Sequence, residues 1–228
     1  AALPAEAAAL RAGAVALQDA GRGVEASELA GQAARKFRLA GRGLDEASAL
    51  NLATAGQLQG LGTKEARAAL GSSAGSAAAR AARTRRAAAQ RAAEEAVAVL
   101  RRLQEGGSGK EEEEQGQALL AGALHNVAFT KLLARDAEGA VRAAEEALEL
   151  CRRRGEEVSE AAVLALLAQA YLESGRSKGA TRAAEQAQAI FSRLGMEDPG
   201  VAAAEVLEGS WRKRGARDRF RVRSEEEK

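Results

Sequence analysis

The chain has 228 residues, 46% hydrophobic but only 3% aromatic, and a formal charge of +2. It is long enough to bury a core, which must be built from Ala, Leu and Val rather than from rings. Near-balanced charge excludes a polycation, and a single cysteine, Cys151, excludes an internal disulfide.

No apolar run approaches the roughly 20 residues that cross a bilayer, and no signal-peptide pattern is present. The expectation is a soluble intracellular chain, cytoplasmic or organellar after removal of a targeting segment. Only two prolines occur, Pro4 and Pro199, and β-branched residues are sparse. The expected class is all-α.

Apolar residues at helical spacing predict helices over about residues 5–20, 23–39, 44–59, 77–104, 113–134, 137–154, 158–174, 177–194 and 200–213. A short helical turn is expected at 63–70. Glu111–Glu114 suits the positive end of the fifth of these helices. After Trp211 the periodicity decays, which predicts a basic, flexible tail.

The chain repeats itself. Taking each helix–helix turn as reference, Gly21, Gly60, Arg135 and Gly175 align, with Ala14, Ala53, Ala128 and Ala168 seven positions earlier. Phe37, Cys151 and Phe191 follow the turn by sixteen in three of the four units. Second halves agree most closely: RAAEEAVAVLRRL from Arg91, RAAEEALELCRRR from Arg142, RAAEQAQAIFSRL from Arg182, and more weakly ELAGQAARKFRLA from Glu28. The unit length is 39 residues from Gly21 to Gly60 and 40 from Arg135 to Gly175, but 75 separate Gly60 from Arg135. Two insertions explain the excess. One spans 63–90 and carries GSSAGS and an Arg-rich run; the other is GGSGKEEEE at Gly106–Glu114. Because glycine-rich segments flank the helix containing Arg91, proteolysis is expected at both its ends.

These features resemble the tetratricopeptide repeat (TPR), in its longer variety of about 40 residues typified by kinesin light chain-like repeats. The small Ala14, Ala53, Ala128 and Ala168 carry the resemblance, with Leu17 and Tyr171 three residues on. Ala26, Ala140 and Ala180 open the second helices, and Ala33, Ala96, Ala147 and Ala187 follow. Leu50-Asn51-Leu52-Ala53 and Leu124-His125-Asn126-Val127-Ala128 look like first-helix signatures of that group. Gly13 departs from the usual Leu, and the second unit is split.

The resemblance implies a right-handed α-solenoid of about four helical hairpins plus a C-terminal capping helix. Repeats one and two would occupy 1–104, a Gly/Glu-rich linker 105–116, repeats three and four with the cap 117–213, and the tail 214–228. It implies that first helices line a concave surface holding a partner peptide or helix. Carried over position by position, the partner-binding candidates are Arg11, Asp19, Asn51, Thr54, Gln57, His125, Asn126, Phe129, Gln169 and Glu173, with Val15 beside them. The side-chain amides of Asn51 and Asn126 suit a ligand's peptide group, since each offers donor and acceptor.

No catalytic grouping is visible. His125 is the only histidine and has no neighbouring nucleophile or carboxylate in sequence. Cys151 falls in the column of Phe37 and Phe191, as a small buried hydrophobe does. One Cys and one His make no Cys/His zinc site, and no phosphate loop occurs, so neither metal nor other cofactor is expected. The expected function is a non-enzymatic scaffold or subunit of a larger protein complex. The rival is an adaptor for RNA or an anionic surface. Its contacts would be Arg80, Arg83, Arg85, Arg86 and Arg91, with Arg212, Arg214, Arg217 and Arg219 near Trp211 and Phe220.

Overall fold

The computed structural model describes residues 2–59, 61, 64–71, 75–107 and 109–196, with Lys64, Glu65, Arg67 and Ala69 described by backbone alone. The expected capping helix at 200–213, the tail, and Arg212, Arg214, Arg217 and Arg219 lie outside the described residues. Nine helices run through the described residues: α1 (Ala2–Asp19), α2 (Gly23–Leu39), α3 (Gly43–Leu58), α4 (Lys64–Gly71), α5 (Ala77–Glu105), α6 (Lys110–Leu133), α7 (Ala137–Arg154), α8 (Glu157–Glu173) and α9 (Ser177–Arg193). There is no strand among them, so the protein is all-α, and consecutive helices pack as helical hairpins. None of the described helices is long and apolar enough to cross a membrane.

One turn design recurs. The amide of Arg22 donates to the Leu17 carbonyl at 2.8 Å, that of Arg42 to Phe37 at 3.0 Å and that of Arg176 to Tyr171 at 2.8 Å. In each case the residue before the donor is a glycine at positive φ: Gly21, Gly41 and Gly175. This is the Schellman closure, which satisfies terminal carbonyls and needs a left-handed residue at its corner. Arg135 holds that conformation as a non-glycine, at φ 65°. The pattern fails after α3, where Gln59 leaves the helix in an extended conformation (φ −54°, ψ 121°). There the chain departs into its insertion.

The chain divides into two compact units, residues 1–134 and 135–228. Glu111, Glu112 and Glu113 form the acidic first turn of α6, where they complement the helix dipole, so most of the expected linker is helix. The expected third hairpin, α6 with α7, is divided between the units.

In the first unit α3 is central, packing on α2, α5 and α6 and touching α1. Alanines make the crossings: Ala14, Ala30 and Ala53 form one buried cluster from three helices, flanked by Leu29 and Leu52. α2 and α3 also meet backbone to backbone, at Gly23 and Gly56. A Cβ on Gly56 would stand 2.3 Å from the Gly23 carbonyl oxygen. Arg38 crosses three helices, with Nε donating to the buried Glu46 at 2.6 Å and Nη2 to Glu95.

In the second unit α8 packs between α7 and α9. Its sequence carries no charge between Glu160 and Glu173, as a helix enclosed from two sides requires. The repeat columns read from sequence are buried throughout: Ala14, Ala53, Ala128 and Ala168; Ala26, Ala140 and Ala180; Ala33, Ala96, Ala147 and Ala187; and Phe37, Leu100, Cys151 and Phe191. Full burial of a Phe such as Phe37 contributes about 1.5–3 kcal/mol relative to exposure.

The part of the first insertion that lies in α5 is packed, not a free loop. Arg91 aligns with Arg142 and Arg182, each five residues into its helix, so residues 77–85 extend α5 by roughly two and a half turns beyond the repeat. Ser76 caps this extension by accepting from the Ala79 amide at 3.1 Å. Ala79 and Ala82 within it are buried. Ser76 and the two buried alanines thus anchor the start of α5.

Candidate functional site

The first-helix candidates of unit one are α1, α3 and α6 residues, and the fold treats them unequally. Thr54 is fully buried, and its hydroxyl donates to the Leu50 carbonyl at 2.9 Å. It cannot face a partner. A threonine in mid-helix returns its hydroxyl to the preceding turn when the surroundings are dry.

Asn51 is half-buried, and its Nδ2 donates to the Leu119 carbonyl at 3.0 Å, tying α3 to α6. Its Oδ1 is buried with no hydrogen-bond partner. The amide therefore joins two first helices instead of offering both its groups to a ligand. Gln57 donates from Nε2 to Ser27 Oγ at 2.9 Å. Arg11 reaches Asp45 at 3.1 Å and Ser48 at 3.4 Å, with its guanidinium carbon 5.7 Å from the Phe37 ring centroid. Phe129 packs against the buried Leu58, Leu61, Ala82, Ala89 and Leu133, which makes it core more than contact surface.

Four candidates keep their polar groups unengaged. Among the described residues, the side chains of Asp19, His125, Asn126 and Glu173 have no hydrogen bond or ion pair. Asp19 and Glu173 are exposed, and Asn126 is half-buried. Next to Asn126, His125 is half-buried, and burial alone holds its imidazole below the usual histidine range. It stays neutral at neutral pH. Val15 is exposed, whereas Gln169 is half-buried and engaged within the chain.

The arginine group of α5 is broken up. Arg85 Nη2 donates to the Gln57 and Gln59 carbonyls at 3.0 and 2.6 Å, closing the end of α3 that lacks a Schellman turn. Arg85 is thus a helix cap, not a phosphate contact. Arg83 is half-buried and engaged within the chain, and Arg86 is half-buried. Arg80 and Arg91 remain fully on the surface.

Unit two holds a polar network that no sequence signal announced. Tyr171 OH donates to Glu145 Oε1 at 2.7 Å, and Arg176 lies over the Tyr171 ring at 5.8 Å while its Nη2 donates to Glu138 at 2.6 Å. The ring also covers Gly179, where a Cβ would stand 3.1 Å from it. Desolvation, reinforced by the Glu145 carboxylate, pushes the Tyr171 phenol up to about 12. The phenol therefore remains protonated in the fold where an unfolded chain would ionise near 10. The stability it contributes is complete below pH 10 and is lost as pH rises from 10 toward 12. Tyr171 is the only tyrosine, so tyrosinate absorbance reads it alone. The native chain should titrate near 12 and the denatured chain near 10; a native midpoint at 10 would contradict the Glu145 contact. The periodicity that places Tyr171 on α8 says nothing of which carboxylate on α7 meets it.

Compared with known proteins, the chain matches no family model, and no curated protein matches it significantly.

Proposed function

We propose that the chain is a non-enzymatic interaction module of the TPR kind, working as a scaffold or subunit in a larger protein assembly. It takes a partner peptide or helix along the surface of its first helices. One observation carries the reading: on α6, Asn126 presents a half-buried amide with neither donor nor acceptor engaged among the described residues. A half-buried amide left so is under-satisfied, and a ligand's peptide group supplies the complementary acceptor and donor.

The test is capture from an extract of the source with the immobilised chain, comparing wild type with the double variant Asn126→Ala, Asp19→Ala. Both sites lie on first helices of unit one and neither side chain holds the fold together. Thermal unfolding should be unchanged while recovery of the principal partner falls about tenfold. Equal recovery from both would rule out this face. The rival, binding of RNA or another polyanion through Arg80 and Arg91, predicts heparin retention with a steep salt dependence that Arg80→Ala and Arg91→Ala abolish.

A further inference from the structure

We infer that α4 is a built-in, displaceable cover over an apolar groove at the end of α3, α5 and α6, and that the groove accepts an acidic amphipathic helix from another protein. This inference does not rest on the proposed first-helix contacts, although Phe129, one of those candidates, packs against the same cluster.

The floor of the groove is the cluster of Leu58, Leu61, Ala82, Ala89 and Leu133, with Phe129 against it. α4 lies on this cluster through Ala66 and Leu70, which stand at i and i+4 and are both only half-buried. That is how a helix-in-groove ligand sits, with apolar anchors on one face. Here the ligand belongs to the chain itself.

Three features make α4 the weak member. It has eight residues, well under the length at which a helix persists unaided in water. Of the described helices it packs chiefly on α5. Its sequence, KEARAALG, contributes two cations and one anion beside an arginine-rich segment. Charge complementarity therefore favours a different occupant. Arg86 lies on the same α5 stripe as the buried Ala82 and Ala89, between them, and no ion pair to it occurs among the described residues. An acidic residue on an incoming helix would find it there.

The floor does not depend on the cover. Arg85 fixes the α5 extension to the last carbonyls of α3, and Ser76 caps its start, neither using α4. Removing α4 would leave the groove in place and bare. A partner with apolar residues at i and i+4 and acidic residues alongside would replace two half-buried anchors and add a favourable charge contact.

Two measurements on the full-length chain decide the matter. Native-state hydrogen exchange should show the α4 amides exchanging about a hundredfold faster than those in the middle of α5, since only α4 opens locally. Protection equal to that of α5 would overturn the proposal. The second uses a labelled synthetic peptide of residues 62–73 carrying Lys64→Glu and Arg67→Glu, read by fluorescence anisotropy. It should bind a chain whose residues 64–71 are replaced by Gly and Ser about tenfold more tightly than wild type, and Arg86→Glu in that chain should remove the gain. Circular dichroism confirms that the replaced chain keeps its remaining helices; where it does not, Leu70→Ser is the variant used to loosen α4. Equal affinity for covered and uncovered chains, or no binding to a folded uncovered chain, refutes it.

Discussion

Gly56→Ala should lower the unfolding free energy by about 3 kcal/mol, at the upper end of ordinary overpacking. The added methyl would meet the Gly23 carbonyl oxygen at 2.3 Å and the Ser27 amide nitrogen at 3.0 Å. Both obstacles are backbone and belong to the first turns of α2, so neither swings aside as a side chain would. Relief requires α2 and α3 to separate, which loosens the packing of Ala26 and Ala30 along the same crossing. Alanine's better helix propensity returns only about 1 kcal/mol.

Gly31→Ala is the matched control. Gly31 lies in the middle of α2, and a Cβ there meets nothing nearer than Arg35 Nη1 at 3.7 Å. The same chemical change should stabilise by about 0.5–1 kcal/mol, because it restricts the unfolded chain without a clash. Urea unfolding followed by far-ultraviolet circular dichroism gives both signs in one experiment. Should Gly56→Ala also stabilise, the two helices do not meet backbone to backbone at that point.

Arg85→Leu should cost about 2 kcal/mol, the value of a charge-assisted pair of hydrogen bonds whose part-buried carbonyl partners are left unpaired. Leucine keeps some of the stem's packing volume, so the loss reports the guanidinium. Because α3 ends without the left-handed turn used elsewhere, nothing in the described backbone replaces Arg85 at the Gln57 and Gln59 carbonyls. The substitution should also fray the extension at 77–85, seen as faster amide exchange there and an early cleavage by trypsin. Arg80→Leu and Arg91→Leu, at exposed positions of the same helix, should stay within about 0.5 kcal/mol of wild type. Three equal losses would mean that Arg85 is one more surface arginine.

This pair of outcomes bears on function as well as stability. Four arginines within 80–86 read as one basic stripe in the linear chain. The fold assigns one of them to capping a neighbouring helix and engages another internally, which leaves Arg80, Arg86 and the more distant Arg91. A polyanion would meet a thinner line of charge than the sequence suggests. The surviving half-buried arginine, Arg86, instead lies beside an apolar cluster, a setting that suits a helix with acidic and apolar faces.

By itself the sequence determined the helices of the described residues and their buried sides. The physical reason is local: a 3.6-residue period selects one face, and a column of alanines repeated every 39 or 40 residues can only be the place where helices approach closely. Thus Ala14, Ala53, Ala128 and Ala168 were identifiable before any coordinate, and so was the role of Cys151 as a small hydrophobe in a column of larger ones. The turns at Gly21 and Gly175 were legible too, and both glycines hold a left-handed corner, whereas Gly60 lies outside the described residues.

Tertiary structure alone decided what the polar groups do. Asn51 bonds a carbonyl 68 residues away, Arg85 two carbonyls at separations of 28 and 26, and Tyr171 a carboxylate at 26. A side chain's spacing fixes the face it occupies, but its partner depends on which helix packs there and at what height. For that reason Asn51 and Asn126, alike in sequence context, divide into a tie between helices and an amide left open. It is also why residues 77–85, part of the insertion that breaks the repeat in sequence, form a packed extension of α5 in the folded chain.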